Sequence, residues 1–285
     1  SIKMEQLIQF VFWFLLPGLS MYYFVYKTWP QKRYLSLIAS TVYMINYYLV
    51  QAWFVAERTK FSIYVALPLV IYFAIAYLTN KISLKRSIVA TGLILGLFNG
   101  GGSIPIYGGL FLIIGIIFLY ANSIYLRREV LKRTILYSIG VIFLFALLNA
   151  YWLFSYIYYI FGFYARDLAL AGGSAGALAW SEYLSKGSSF LNLFRGQGIP
   201  EWYLNPYHAF ANEFFTNPLL IVLSFAFPLL AYVSLFLARE RKDKFYIYLF
   251  VIISLVALIF MAGPRSQLGI VYEFMVQHVP GFAIF

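Results

Sequence analysis

The chain has no cysteine. That excludes disulfides, thiolate metal sites and cysteine nucleophiles together. Charge is almost as scarce: only 11% of the residues are Asp, Glu, Lys or Arg, against roughly 25% in soluble domains. The long apolar runs hold almost no ionisable group, and their polar members are amides and hydroxyls such as Thr41, Asn46, Asn149 and Ser155. Charges inside a membrane mark ion pathways, proton relays and voltage sensors. Their scarcity weighs against a proton-coupled pump or an ion channel. There is no internal repeat and no low-complexity tract. No basic stretch followed by a small-residue cleavage site opens the chain, so no signal peptide is expected. Ser1 is not an initiator methionine and 279–285 is apolar to the last residue, so both ends are expected to be the edges of a piece of a longer chain.

What is present is hydrophobic: 63% of 285 residues, with 29 Phe and 26 Tyr, at a mean hydropathy of +0.81. So little polar surface could not clothe a water-soluble fold of this length. A bilayer can act as the missing solvent, and a helix crosses it with about 20 apolar residues. The sequence predicts an all-α polytopic bundle of about eight spans, at 6–26, 34–55, 61–79, 86–99, 105–125, 134–160, 218–238 and 245–262. The fourth is short and ends in Asn99-Gly100-Gly101-Gly102-Ser103, which suggests a partial or broken helix. In larger divisions, 1–163 holds spans one to six and 164–217 is a long outer loop. Spans seven and eight follow at 218–263. The rest, 264–285, is an amphipathic or re-entrant segment on the outer surface, with Glu273 and His278 among its apolar residues.

Orientation follows from the basic residues of the loops. One set of loops carries 14 Lys and Arg, among them Lys27, Arg33, Lys85, Arg128 and Lys244, with three acids, Glu129, Glu240 and Asp243. The opposite set carries seven basic residues and seven acids, so the entire net charge of +11 falls on one face. Both termini are therefore expected outside, the basic loops in the cytoplasm, and the chain in the cytoplasmic membrane. The basic balance is then membrane topology and attraction to anionic lipid, and no nucleic-acid partner is expected.

Long connections without structure are uncommon and usually functional, which draws attention to 164–217. It holds Asp167, Glu182, Arg195, Glu201, His208 and Glu213 among Trp180, Trp202, Tyr203 and Tyr207. Carboxylates can take a proton from a hydroxyl, arginine can grip a phosphate with two parallel bonds, and aromatic faces can stack on a sugar ring. Asp167, Arg195, Glu201, His208, Glu213 and, beyond the last span, Arg265 are the candidate substrate-binding residues. The plain alternative is that outer loops are polar because they meet water, with Trp and Tyr at the interface. His208 and Glu213 are five apart, off the same-face spacing of a helix, and no metal-ligand spacing is present. Asp167 directly follows Arg166 at the exit of a span, where an interfacial ion pair would suffice. Gly100-Gly101-Gly102 and Gly108-Gly109 lack the Lys-Ser/Thr of a phosphate-cradling loop and are expected to form an outer turn. Asn149 is expected to cross-bond helices near the outer end of span six.

Five stretches taken in order carry a resemblance: FLLPGLSMYYFVYKT at 14–28, LIASTVYMINYYLVQAW at 37–53, YVALPLVIYF at 64–73, LLNAYWLFSYIYYI at 147–160, and FMAGPRSQLGIVYEFMVQHVPGFAIF at 260–285. Together they resemble the large polytopic glycosyltransferases of the C type, in the arabinofuranosyltransferase-like branch. Tyr43-x-x-Asn46-x-Tyr48 is similar to that family's tyrosine-rich span, which follows a small-residue span, and Asn149-x-x-Trp152 to the span that precedes its long outer loop. The resemblance covers most of the chain through diffuse, apolar motifs. It implies transfer of a sugar from a polyprenyl-phosphate donor to an acceptor outside the membrane, with a divalent metal as a possible aid. It also implies a catalytic acid in a first outer loop that would precede Ser1, so no residue here is its equivalent. Two other readings remain open: a transporter or lipid flippase, for which the broken fourth span speaks, and a non-catalytic membrane scaffold subunit.

Overall fold

The computed structural model describes residues 2–46, 49, 58–98, 104–125, 128–159, 162–163, 166, 173–198, 211–237, 239–265 and 269–278. Every regular element among them is a helix, and the chain divides into two compact units, Ser1–Tyr159 and Ile160–Phe285.

The first unit begins with α1 (Ile2–Thr28) and α2 (Arg33–Met44), followed by α3 (Arg58–Leu78) and α4 (Leu84–Leu97). It continues with α5 (Ile104–Tyr125), α6 (Arg128–Leu148) and α7 (Ala150–Tyr159). Small residues set the contacts. A Cβ on Gly18 of α1 would overlap the Met44 sulfur, and Ser40 Oγ donates to the Gly18 carbonyl at 2.9 Å. With Arg33 over the Tyr26 ring, this makes α1 and α2 an antiparallel hairpin. Along α4 and α6 the seam is reciprocal: Gly140 admits Ile88, Gly92 admits Leu144 and Gly96 admits Leu148. These pairs advance together, four residues at a time, so α4 and α6 run parallel. α5 runs against them, since Phe111 meets Phe145 and Phe118 meets Tyr137. Close backbone approach through glycine is how helices associate where neighbouring lipid is as apolar as leucine.

Pro68 interrupts α3. Proline has no N–H to return to the carbonyl four residues earlier, which here is that of Tyr64. The Tyr43 hydroxyl of α2 donates to that carbonyl at 3.0 Å, with the two rings 4.8 Å apart. Further along, Thr91 and Tyr137 share a buried hydroxyl–hydroxyl bond of 2.8 Å between α4 and α6. Tyr77 stacks on Tyr137, and Arg133 lies over Tyr77 at 4.6 Å.

The second unit contains α8 (Gly173–Leu184), a 3₁₀ turn at Ser185–Gly187, and the short α9 (Phe190–Phe194) and α10 (Ala211–Thr216). Two long helices follow, α11 (Pro218–Leu237) and α12 (Arg241–Ala262), and then α13 (Gly269–His278). A hydroxyl pair, Ser181 with Tyr272 at 3.0 Å, joins α8 to α13. The turn after α12 depends on Gly263, whose φ of 63° with ψ of −167° is a backbone region that only glycine occupies freely.

Among the described residues five helices are long and apolar enough to cross a membrane: Met4–Thr28, Phe61–Leu78, Val130–Leu148, Pro218–Leu237 and Asp243–Ala262. Their outward faces carry large apolar side chains, among them Ile8, Phe143, Leu230 and Phe236. Such surface is stable only against hydrocarbon or a partner. The chain is a multi-pass membrane protein whose helices lie in lipid.

Four of the expected spans take different forms. Where 34–55 is expected to be one span, α2 stops after 12 residues. Asn46 then donates to the Tyr43 carbonyl and accepts from the Leu49 N–H, capping the helix end. Most of 47–57 lies outside the described residues. The expected short span is α4, 14 residues long, a rise of about 21 Å. The fifth is α5, 22 residues long, and Gly108-Gly109 sit within this helix where an outer turn is expected. The expected span 134–160 divides at Asn149 into α6 and α7.

Candidate functional site

The clearest polar arrangement beside a span-length helix centres on Arg195. α9 is short, capped by Ser189, whose hydroxyl accepts from the Asn192 N–H, and Arg195 is its C-cap. α9 packs against α12, and from its end the Phe194 ring reaches α11, stacking on Tyr232 at 5.5 Å and leaning on Phe225 at 6.3 Å. Tyr232 is about 21 Å along α11 from Pro218 at 1.5 Å per residue. The expectation for 164–217 is a long outer loop; within it the Phe194 ring, at the end of α9, lies against α11.

Arg195 follows it down. Its Nε donates to Ser224 Oγ at 2.7 Å, an Nη donates to the Phe214 carbonyl at 2.9 Å, and the guanidinium lies over the Phe225 ring at 5.3 Å. Ser224 is buried and lies about 9 Å into α11. A partly buried arginine beside an apolar helix is costly unless partnered, and here a hydroxyl, a carbonyl and a ring face partly replace water. None of these carries a negative charge, and no carboxylate is among the partners of Arg195 in the described residues.

One turn further along α11 is Pro228, which leaves the Ser224 carbonyl without its helical N–H. There a cleft of about 600 Å³ opens between α9, α11 and α12. Its walls are apolar, with Phe194, Pro228, Val251, Leu258 and Met261 prominent. Its hydroxyls are spent internally: Tyr232 pairs with Ser254 at 2.8 Å, and Ser234 donates to the Ala231 carbonyl.

The other candidates do not converge on this point. Glu213 is exposed on α10, next to the Phe214 carbonyl that Arg195 engages. Arg265 is exposed on the turn after α12. Asp167, Glu201 and His208 lie outside the described residues. Among the described residues no group of His, Asp and Glu could hold a metal ion. On α8 the exposed Trp180 and Tyr183 stack at 5.6 Å, with the Lys186 ammonium 4.8 Å over Tyr183.

Both motif asparagines bond nearby main chain. Asn149 is fully buried, donates to the Phe145 carbonyl at 2.9 Å and accepts the Trp152 indole N–H at 2.8 Å. It shapes the junction of α6 and α7, where a cross-helix bond is the expectation. Asn46 serves the end of α2 and also accepts from the Tyr64 hydroxyl at 3.4 Å. Ser224, Phe225, Tyr232 and Ser254 are members of the site that sequence reasoning passes over. The available signal is the Ser224–Pro228 spacing, a hydroxyl at i−4 from a proline inside an apolar run.

No family model, no curated protein and no solved structure matches the chain.

Proposed function

We propose that this protein is part of a membrane glycosyltransferase, moving a sugar from a polyprenyl-phosphate donor to an acceptor on the outer side of the cytoplasmic membrane. In this reading it has eight spans with both termini outside. The observation that carries it is the division of chemistry. The five span-length helices have no charged side chain in their central turns, while the second unit brings a guanidinium to the side of α11 at an apolar cleft. A lipid-linked substrate asks for that combination: hydrocarbon surface for the tail and a cation for the phosphate. The exposed Trp180–Tyr183 stack offers ring faces of the kind a sugar packs on.

The test is sugar transfer from a radiolabelled polyprenyl-phosphate sugar pool. It uses membranes holding the longest natural polypeptide that contains these residues, beside membranes holding these residues alone. Transfer above empty membranes by the longer polypeptide supports the reading. No transfer by either, across several donors, overturns it. A second reading, a lipid flippase, is favoured by the prolines inside three of the span-length helices, Pro17, Pro68 and Pro228, since interrupted helices are frequent in transport folds. Movement of a fluorescent lipid across reconstituted vesicles, without transfer, would select it.

A further inference from the structure

We propose that the cleft between α11 and α12 holds a hydrocarbon chain of an anionic membrane lipid, with the lipid's phosphate at Arg195. The placement begins with one stripe of α11. Ser224, Phe225, Pro228, Ala231 and Tyr232 recur at three- and four-residue intervals and so share a face. Arg195 engages the first two, and the cleft is built on the last three. The cation and the cleft are therefore stacked along one helix face, one turn apart.

The chemistry of the two parts differs as the two ends of a lipid differ. The cleft makes no polar demand, because Tyr232, Ser254 and Ser234 already bond within the protein. Water or a polar solute would gain nothing there, whereas hydrocarbon would. Its volume of about 600 Å³ is in the range that holds a small ligand, and it opens between two helices whose outer faces meet lipid. Arg195 has five N–H donors, of which the Ser224 and Phe214 bonds use two. Its partners among the described residues are neutral. A partly buried cation with no counter-charge among the described residues is unfavourable, and a phosphate oxygen would supply both the charge and acceptors for the remaining donors. A neutral lipid meets the demand of the cleft and leaves that of Arg195 unmet.

The proposal stands apart from sugar transfer, because a lipid that is never a substrate would occupy the same place. The test uses detergent-solubilised protein and two photoactivatable lipids with identical diazirine-bearing chains, one a phosphatidic acid and one a diacylglycerol. Labelled peptides are located by mass spectrometry. The phosphate-bearing probe is expected to label α11 and α12 at least tenfold more than the neutral one. Arg195→Gln should bring the two probes level, Arg195→Lys should keep most of the difference, and Ala257→Phe, at an exposed position in the cleft wall, should lower labelling by both. Equal labelling by the two probes in the unaltered protein overturns the proposal, as does a difference that survives Arg195→Gln. If Arg195→Gln does not run as a single species on gel filtration, the probe comparison in the unaltered protein and the Ala257→Phe variant decide. Labelling without sugar transfer leaves this proposal intact; transfer without headgroup discrimination overturns it alone.

Discussion

Replacing Tyr43 with Phe removes one hydroxyl from the interface of α2 and α3 and leaves its ring packed at a tilt against Tyr64. The hydroxyl donates to the Tyr64 carbonyl, the acceptor that Pro68 leaves without a helical partner. An unsatisfied carbonyl of this kind costs about 1–3 kcal/mol, and hydrogen bonds between membrane helices average about 0.6 kcal/mol. Tyr43→Phe should therefore cost about 1 kcal/mol, roughly fivefold in the folding equilibrium. The more discriminating variant is Pro68→Ala, which restores an N–H to the Tyr64 carbonyl. In that background Tyr43→Phe should be nearly silent. The four proteins of the cycle can be compared by unfolding in mixed micelles of mild detergent and dodecyl sulfate. A coupling of about 1 kcal/mol is expected. Effects that add to within the usual scatter of about 0.3–0.5 kcal/mol would refute the reasoning, because the hydroxyl would then serve something other than the carbonyl freed by proline.

Gly140→Val should push Ile88 out of the α4–α6 seam and cost about 1–3 kcal/mol as overpacking, read by the same unfolding assay, whereas Gly115→Val, with nothing near its added carbon, should be neutral or slightly stabilising, since valine is the better helix former. Asn149→Leu should leave the Trp152 indole N–H without its acceptor, at a cost of about 1–3 kcal/mol and with a shift in tryptophan emission; an unchanged spectrum and stability would remove the junction role. Because the chain has no cysteine, single cysteines can be mapped without background: Lys244→Cys should react with a membrane-impermeant maleimide only in inverted vesicles, and Glu213→Cys only in right-side-out ones.

The long helices were legible because an apolar run of span length has few alternatives to a helix in lipid. Phe61–Leu78, Pro218–Leu237 and Asp243–Ala262 fall where the runs place them. The breaks were harder to see. Asn46 and Asn149 look like tolerated polar residues inside apolar runs, yet each bonds main chain and ends a helix. Hydropathy reports what a segment is made of, and these ends depend on what one amide can reach. Arg195 was legible as a candidate but its location was not. In sequence it belongs to a polar stretch between spans, and tertiary contacts, those of Phe194 with Phe225 and Tyr232 and its own bond to Ser224, hold it beside α11. Its partners Ser224 and the Phe214 carbonyl lie 29 and 19 residues away, a distance that no local pattern spans.

The Tyr43–Tyr64 bond also bears on how the chain is made. Synthesis runs from the N-terminus, so the hydroxyl of residue 43 leaves the ribosome ahead of the carbonyl it serves. A helix complete in itself could enter lipid and wait for its neighbours. α3 has one backbone oxygen that its own turn does not serve, and the bond from Tyr43 completes it only once α3 packs on the α1–α2 hairpin.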